Sequence, residues 1–333
     1  MPNNSVSTGS APPPPPEEGL SFVERYINVL SPLSLIAFVC IAMLFLEPRF
    51  FRPTNMRILF LDASLYMIMG VGMTLVITGA GIDLSIGSIA ALSAVLMAGL
   101  IKDLGMSIFL AIPLGLLIGA ACGLMNGLVI TKLNIPDLIC TLSTDLVFRG
   151  LALVYAAGAV LHRFPPAITW LGAGRVIGIP IPVIIGFIAI AIGHFVYHNT
   201  YLGRYAVAIG GNREGAILAG INVPRNKIYH YIVMGTLAAA AGVLLTGRLN
   251  AIMATSAEGF ALHTIAAVVV GGTSLFGGRG SMLGTLIGAV LLSMVVNALI
   301  ILRLPFFWQQ VASGIIIITS MAFYGYIQRR GKE

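Results

Sequence analysis

The chain has 333 residues, of which 58% are hydrophobic and only 9% charged, and its mean hydropathy is +0.97. So few charges cannot cover a soluble globule, which excludes the ordinary cytosolic enzyme and places the chain in a membrane. The net charge of +7, from 19 Lys and Arg against 12 Asp and Glu, then reads as topology and contact with lipid headgroups. Nucleic acid is not an expected partner. Cys40, Cys122 and Cys140 lie in apolar runs without CxxC or Cys/His spacing, the pattern of small core residues and not of metal ligands or disulfides.

Residues 1–26 are polar, with a proline run from Pro12 to Pro16 followed by Glu17, Glu18, Glu24 and Arg25. They read as a disordered tail. No cleavage pattern follows the first apolar segment, so that segment is expected to stay as a helix. At roughly 20 apolar residues per crossing, spans fall near 27–46, 58–79, 82–101, 107–130, 137–157, 179–197, 228–247, 258–272, 282–302 and 307–326. The expected fold is an all-α polytopic membrane protein of about ten helices. Some segments around 58–101 and 258–272 are expected to be half-helices or re-entrant pieces, because 58–79 and 82–101 meet at a broken motif and 258–272 is short. Glycines four apart, such as Gly115 with Gly119 and Gly284 with Gly288, suit close helix packing.

An even number of spans puts both termini on one side. Arg204, Arg213, Arg225 and Lys227 share one loop, and Arg329, Arg330 and Lys332 end the chain, so that side is expected to be the cytoplasm. Arg49, Arg52, Arg57, Arg163 and Arg175 then lie outside or at the outer interface.

Between the second and third spans stands Gly79 to Ser88, Gly-Ala-Gly-Ile-Asp-Leu-Ser-Ile-Gly-Ser. A carboxylate and an unwound backbone at membrane depth survive only where protein or a watery cavity surrounds them, so this break is expected to face a path through the protein. Asp83 is expected to hold the broken backbone as an acceptor of freed N–H groups. In the fifth span Asp145 and Arg149 are four apart and able to pair. Asn126, Thr141, Thr144 and Asn297 could meet a passing polar solute, although such groups commonly bond between helices. The loop 198–227 contains Ala206 to Val223, read as one short amphipathic helix with Ile217, Leu218 and Ile221 on its apolar face and Asn212, Arg213 and Glu214 at its start. From Gly272 the spacing Gly-x4-Gly matches a phosphate loop, but Gly278 and Arg279 stand where Lys and Ser or Thr are needed, so ATP binding by this chain is not expected. Gly79 aligns with Gly272, Ile82 with Leu275, Gly87 with Gly280 and Ser88 with Ser281, a weak hint of an internal repeat. No histidine cluster has metal-ligand spacing, no catalytic triad can be nominated, and no cofactor is expected.

Three of these stretches, Gly79 to Ser88, Leu202 to Val223 and Ala266 to Gly288, occur in an order and spacing that resemble the transmembrane permeases of bacterial ribose-type sugar ABC importers, over about residues 50–325. The resemblance implies a multi-pass inner-membrane protein. Its implied partners are a cytoplasmic ATP-binding subunit, a periplasmic sugar-binding protein and a second permease chain. Glu214, Ala216 and Gly220 fit the Glu-Ala-Ala-x-x-x-Gly pattern that engages the ATPase, with Gly215 at the second position and without the closing Leu-Pro. Gly211, Asn212, Glu214, Ala216, Gly220 and Ile221 are therefore the expected coupling residues. Asp83, Ser85, Asn126, Thr141, Thr144, Arg149, Thr273, Ser274 and Asn297 are the expected pathway residues. The alternative is a self-sufficient secondary carrier or channel using Asp83 as an ion or proton site. The sequence leaves the sugar or polyol open, and equally whether the dimer is of identical or related chains.

Overall fold

The structure, a computed structural model, describes residues 22–305 together with 308, 311, 314, 315 and 318, with side chains from residue 32 onward. The tail residues 1–21, most of the expected tenth span and the basic end 328–333 lie outside the described residues. Twelve helices follow in chain order among the described residues: α1 (Phe22–Leu46), α2 (Pro53–Thr78), α3 (Ile86–Lys102), α4 (Ile108–Lys132), α5 (Asp137–Ala156), α6 (Pro166–Ala173), α7 (Ile181–Asn199), α8 (Tyr201–Gly211), α9 (Arg213–Leu218), α10 (Val223–Leu249), α11 (Phe260–Val270) and α12 (Met282–Ile301). Two minimal antiparallel pairs join β1 (Leu161–His162) to β4 (Ala251–Ile252) and β2 (Arg175–Val176) to β3 (Ile179–Pro180).

Each expected span from 27–46 to 282–302 overlaps one of these helices. Six of the described helices (α2, α4, α5, α7, α10 and α12) are each long and apolar enough to cross a membrane alone. At 17 and 11 residues, α3 and α11 fall short, because the chain unwinds before the first and after the second.

The core is built around α2 and α10, whose apolar stretches are 83% and 61% buried. A helix apolar all round has no face for water and suits the middle of a bundle. Small residues bring helices into backbone contact, as expected. On α4, Gly119 abuts Gly235 and Ala239 of α10, and Gly123 and Gly127 continue the seam against Tyr231 and Ile228. On α12, Gly284 and Gly288 abut Gly271 and Ala267 at the end of α11.

Contacts sort the helix ends into two groups. At one end Asp137 at the start of α5 meets Lys227 near the start of α10 (2.6 Å), close to the ends of α2, α4 and α8. At the other end Asp62 of α2 meets Arg248 of α10 (2.6 Å), Asp103 accepts from Tyr155 and β1 pairs with β4. Successive spans therefore alternate in direction, and the end bearing α9 is the one the basic loop predicts to be cytoplasmic.

Candidate functional site

The first break lies at the α9 end of the bundle. The amides of Gly79, Ala80 and Gly81 fold back onto the carbonyls of Leu75, Ile77 and Val76 at 3.1, 2.9 and 2.9 Å, with Ala80 in the left-handed region (φ 56°). After α11 the same closure recurs: Gly271, Gly272 and Thr273 donate to Ala267, Val269 and Val268 at 3.0, 2.8 and 3.2 Å, with φ 91° at Gly272. The two turns are equivalent, but Gly79 matches Gly271, one residue from the expected pairing with Gly272. Cap Ser85 corresponds to Ser281 in place of Ser88, because the second loop (271–281) is longer than the first (79–85). Glycine periodicity misled the register by following the later Gly-Ser pair across that insertion.

Asp83, fully buried, accepts from the Ser85 amide (2.9 Å) and hydroxyl (2.6 Å) through Oδ1. Its contacts are thus to one residue two positions on, while Oδ2 has no donor among the described residues. Asn126 of α4 donates to the Ser85 hydroxyl (2.8 Å), and Thr141 of α5 lies 3.2 Å from the Ile82 carbonyl. Thr144, a turn further, bonds back to the Thr141 carbonyl. Four of the expected pathway residues, Asp83, Ser85, Asn126 and Thr141, thus share one buried network. Arg149 lies apart from it, pairing with Asp145 at 3.4 Å as expected and donating to the Ala254 carbonyl at 3.0 Å. Thr273 and Ser274 are buried in the second break, where Thr273 accepts from the Ser281 amide. Asn297 joins neither group. It exchanges amide hydrogen bonds with Asn55 near the start of α2 (2.7 and 3.0 Å), at the opposite end of the bundle.

Sequence reasoning missed the polar knot that closes the first network toward the α9 end. Asp137 binds Lys227 through Oδ1 and accepts from the Tyr231 hydroxyl through Oδ2 at 2.7 Å, and that hydroxyl also sits 3.2 Å from the Ile82 carbonyl. Asp137 and Lys227 were visible only as charges flanking apolar runs, 90 positions apart.

The amphipathic element expected over 206–223 is three pieces. α8 stops at Gly211, where extended Asn212 caps α9 by accepting from the Gly215 amide at 2.9 Å. After α9 the chain turns through Gly220 (φ 80°), and Asn222 caps α10 by accepting from Arg225 at 3.0 Å. Each asparagine satisfies an amide that the next helix start leaves free. The inward face also differs from expectation: Ala216 packs with Ile209, Val223 and Ile221, while Ile217 and Leu218 are 52% and 89% exposed. Gly211, Asn212, Glu214 and Gly220 are exposed with them. Beside α9 a cleft of about 490 Å³ runs between the first break, the α4–α5 turn and the start of α10, with Arg213, Asp137 and Lys227 in its wall.

Residues 55–321 match the family described as branched-chain amino acid transport system, permease component. The ribose import permease protein RbsC of Bacillus subtilis is 42% identical over 88% of this chain and 91% of its own length. Its namesake in Haemophilus influenzae is 37% identical over 90% and 94%, and the D-allose transport system permease protein AlsC of Escherichia coli 36% over 83% and 85%. No solved structure matches. A permease component of an ABC importer carries solute across a multi-pass membrane domain, is not itself an enzyme, and leaves ATP hydrolysis to a separate ATP-binding subunit. The chain belongs to this family of importer permease components.

Proposed function

We propose that this chain is the inner-membrane permease of an ATP-driven importer for a monosaccharide or related polyol. The observation that carries the reading is α9: a capped helix with Leu218 89% exposed, joined directly to the end of α8 that abuts both broken-helix loops. Adjacent Ile217 and Leu218, 52% and 89% exposed, on a helix opened by Arg213 and Glu214 suit insertion into a groove of a partner. We assign Gly211, Asn212, Glu214, Ala216, Gly220 and Ile221 to docking of the ATP-binding subunit, with Ala216 fixing α9 to the bundle. The pathway reading keeps Asp83, Ser85, Asn126, Thr141 and Thr144 around the first break, Thr273 and Ser274 at the second, and Arg149 and Asn297 further along the bundle. Two permease chains, identical or related, would form the route, with ten spans each, both termini cytoplasmic and a periplasmic binding protein delivering the sugar. Ribose and D-allose transport by relatives supports a sugar substrate. An ion-coupled carrier has no support among these relatives.

The test is Glu214→Lys and Gly220→Arg, read by co-purification with the ATP-binding subunit. Both variants are expected to insert normally and to lose the subunit together with coupled uptake; retention of both would refute the docking assignment. For orientation, Asn212→Cys in a background without native cysteines should react only with cytoplasmic reagents, and Ile177→Cys, 97% exposed between β2 and β3, only from outside. Labelling of position 212 from the periplasm would reverse the topology.

A further inference from the structure

Three parts of the chain meet at the α9 end as bare backbone: the turn after α2, the end of α8 and the loop between α11 and α12. The Gly278 amide donates to the Thr78 carbonyl at 2.9 Å. A Cβ added at Gly277 would stand 2.9 Å from the Gly210 Cα and 3.0 Å from the Ala80 Cβ, and one at Gly278 2.8 Å from the Gly211 Cα. At Gly210 it would lie 2.5 Å from the Gly278 nitrogen and collide with the Thr78 carbonyl oxygen. Gly277 and Gly278 have φ of 84° and 75°, so their turn alone calls for glycine. Gly210 is helical, with no such demand, and the close approach is the reason a side chain cannot stand there.

This contact connects directly to α9. Gly211 leads into Asn212, whose carbonyl accepts from Ala216 at 2.9 Å and whose side chain caps the helix, so no flexible loop intervenes. Interfaces between side chains can slide by changing rotamers, whereas interlocked backbone has no such freedom and shifts as a body. We propose that Gly210, Gly277 and Gly278 are positioning residues that carry a displacement of α9 to both broken-helix turns as one rigid unit, so that closure of the ATP-binding subunit reaches the translocation route. This rests on the reading of α9 as the docking helix.

Two perturbations of opposite expected effect test it in the full transporter reconstituted in proteoliposomes. The first inserts a wedge, Gly210→Ala or Gly277→Ala. Co-purification with the ATP-binding subunit and ATP hydrolysis should persist, while sugar taken up per ATP falls roughly tenfold, within the usual range of site-to-site coupling. The second ties the contact together: Ala80→Cys with Arg279→Cys, joined by a short reducible bifunctional thiol reagent. Both positions are exposed, Ala80 already carries a Cβ, and that Cβ stands 3.0 Å from where one would lie at Gly277. Because the parts move together, the tied protein should transport normally. Loss of uptake on cross-linking, restored by reductant, would mean that the contact slides or opens and would overturn the proposal, as would normal coupling in the wedge variants. Should the wedge variants fail to insert, the tie decides alone. If the unmodified protein neither binds the subunit nor takes up sugar with ATP, it is the importer reading that fails.

Discussion

Asn212 offers a graded test of the docking helix. α9 has six residues, far below the length at which an isolated helix holds in water. Its order therefore depends on the burial of Ala216, 4% exposed, and on the Asn212 Oδ1 contact to the Gly215 amide at 2.9 Å. Replacing an asparagine cap by alanine costs about 1 kcal/mol, and by glycine only a few tenths. Aspartate keeps the acceptor and gains about 0.3–1 kcal/mol from its charge at a helix start. If the subunit binds only the formed helix, Asn212→Ala should weaken its affinity by up to about fivefold, the limit reached where the unbound helix is largely unformed, since about 1.4 kcal/mol is tenfold. The expected order of affinity is Asp at least equal to Asn, then Gly, then Ala. Titrating labelled ATP-binding subunit onto permease in nanodiscs measures it. Alanine binding as tightly as asparagine, or more tightly than glycine, would refute the argument that the cap orders the docking surface.

Three further outcomes concern the interior. Asp83→Leu strips the Ser85 amide and hydroxyl of their acceptor, at about 1–3 kcal/mol for each group left unsatisfied, whereas Asp83→Asn keeps an oxygen there. Leucine should lower the unfolding temperature in detergent far more than asparagine, and equal losses would contradict the capping role. Asp137→Ala leaves both Lys227 and Tyr231 without their carboxylate, and with the pair's side chains 21% and 14% exposed the loss should be about 2–3 kcal/mol, below that of a fully buried pair. Adding Lys227→Met should recover part of it, and a double variant no more stable than the single would contradict the pairing. Gly119→Leu should abolish the folded protein by driving α4 from α10, while Gly150→Leu, with nothing within 4 Å of its Cβ position, should accumulate normally. Equal yields from the two would contradict the α4–α10 seam.

The spans were legible because long apolar runs carry their own signal, and the ends of α4 and α12 fall within two residues of the expected segments 107–130 and 282–302. What sequence could not show was which runs fall short of a crossing, since α3 and α11 are as apolar as the full spans and differ only in where the backbone unwinds. Helix boundaries in the loop were written in Asn212, Gly220 and Asn222, but hydrophobic periodicity ran through all three and merged separate helices. The pairings Asp137 with Lys227 and Asn55 with Asn297 join residues 90 and 242 positions apart, distances over which spacing carries no information. The Asp83 network was half visible: the carboxylate and its glycine-broken surroundings marked the place, and the choice of Ser85, Asn126 and Thr141 as neighbours came from the fold. Asn297, equally polar in an apolar run, lies outside that network and pairs with Asn55 at the start of α2.

The most direct test of ATP-driven import is uptake of labelled ribose, D-allose and other monosaccharides into proteoliposomes containing the permease, with its ATP-binding subunit and solute-binding protein added or withheld. Accumulation of at least one sugar that requires both proteins and hydrolysable ATP, and that Glu214→Lys abolishes, is the expected result. Accumulation driven by an imposed pH or sodium gradient with ATP absent would contradict it and make Asp83 an ion-coupling site instead.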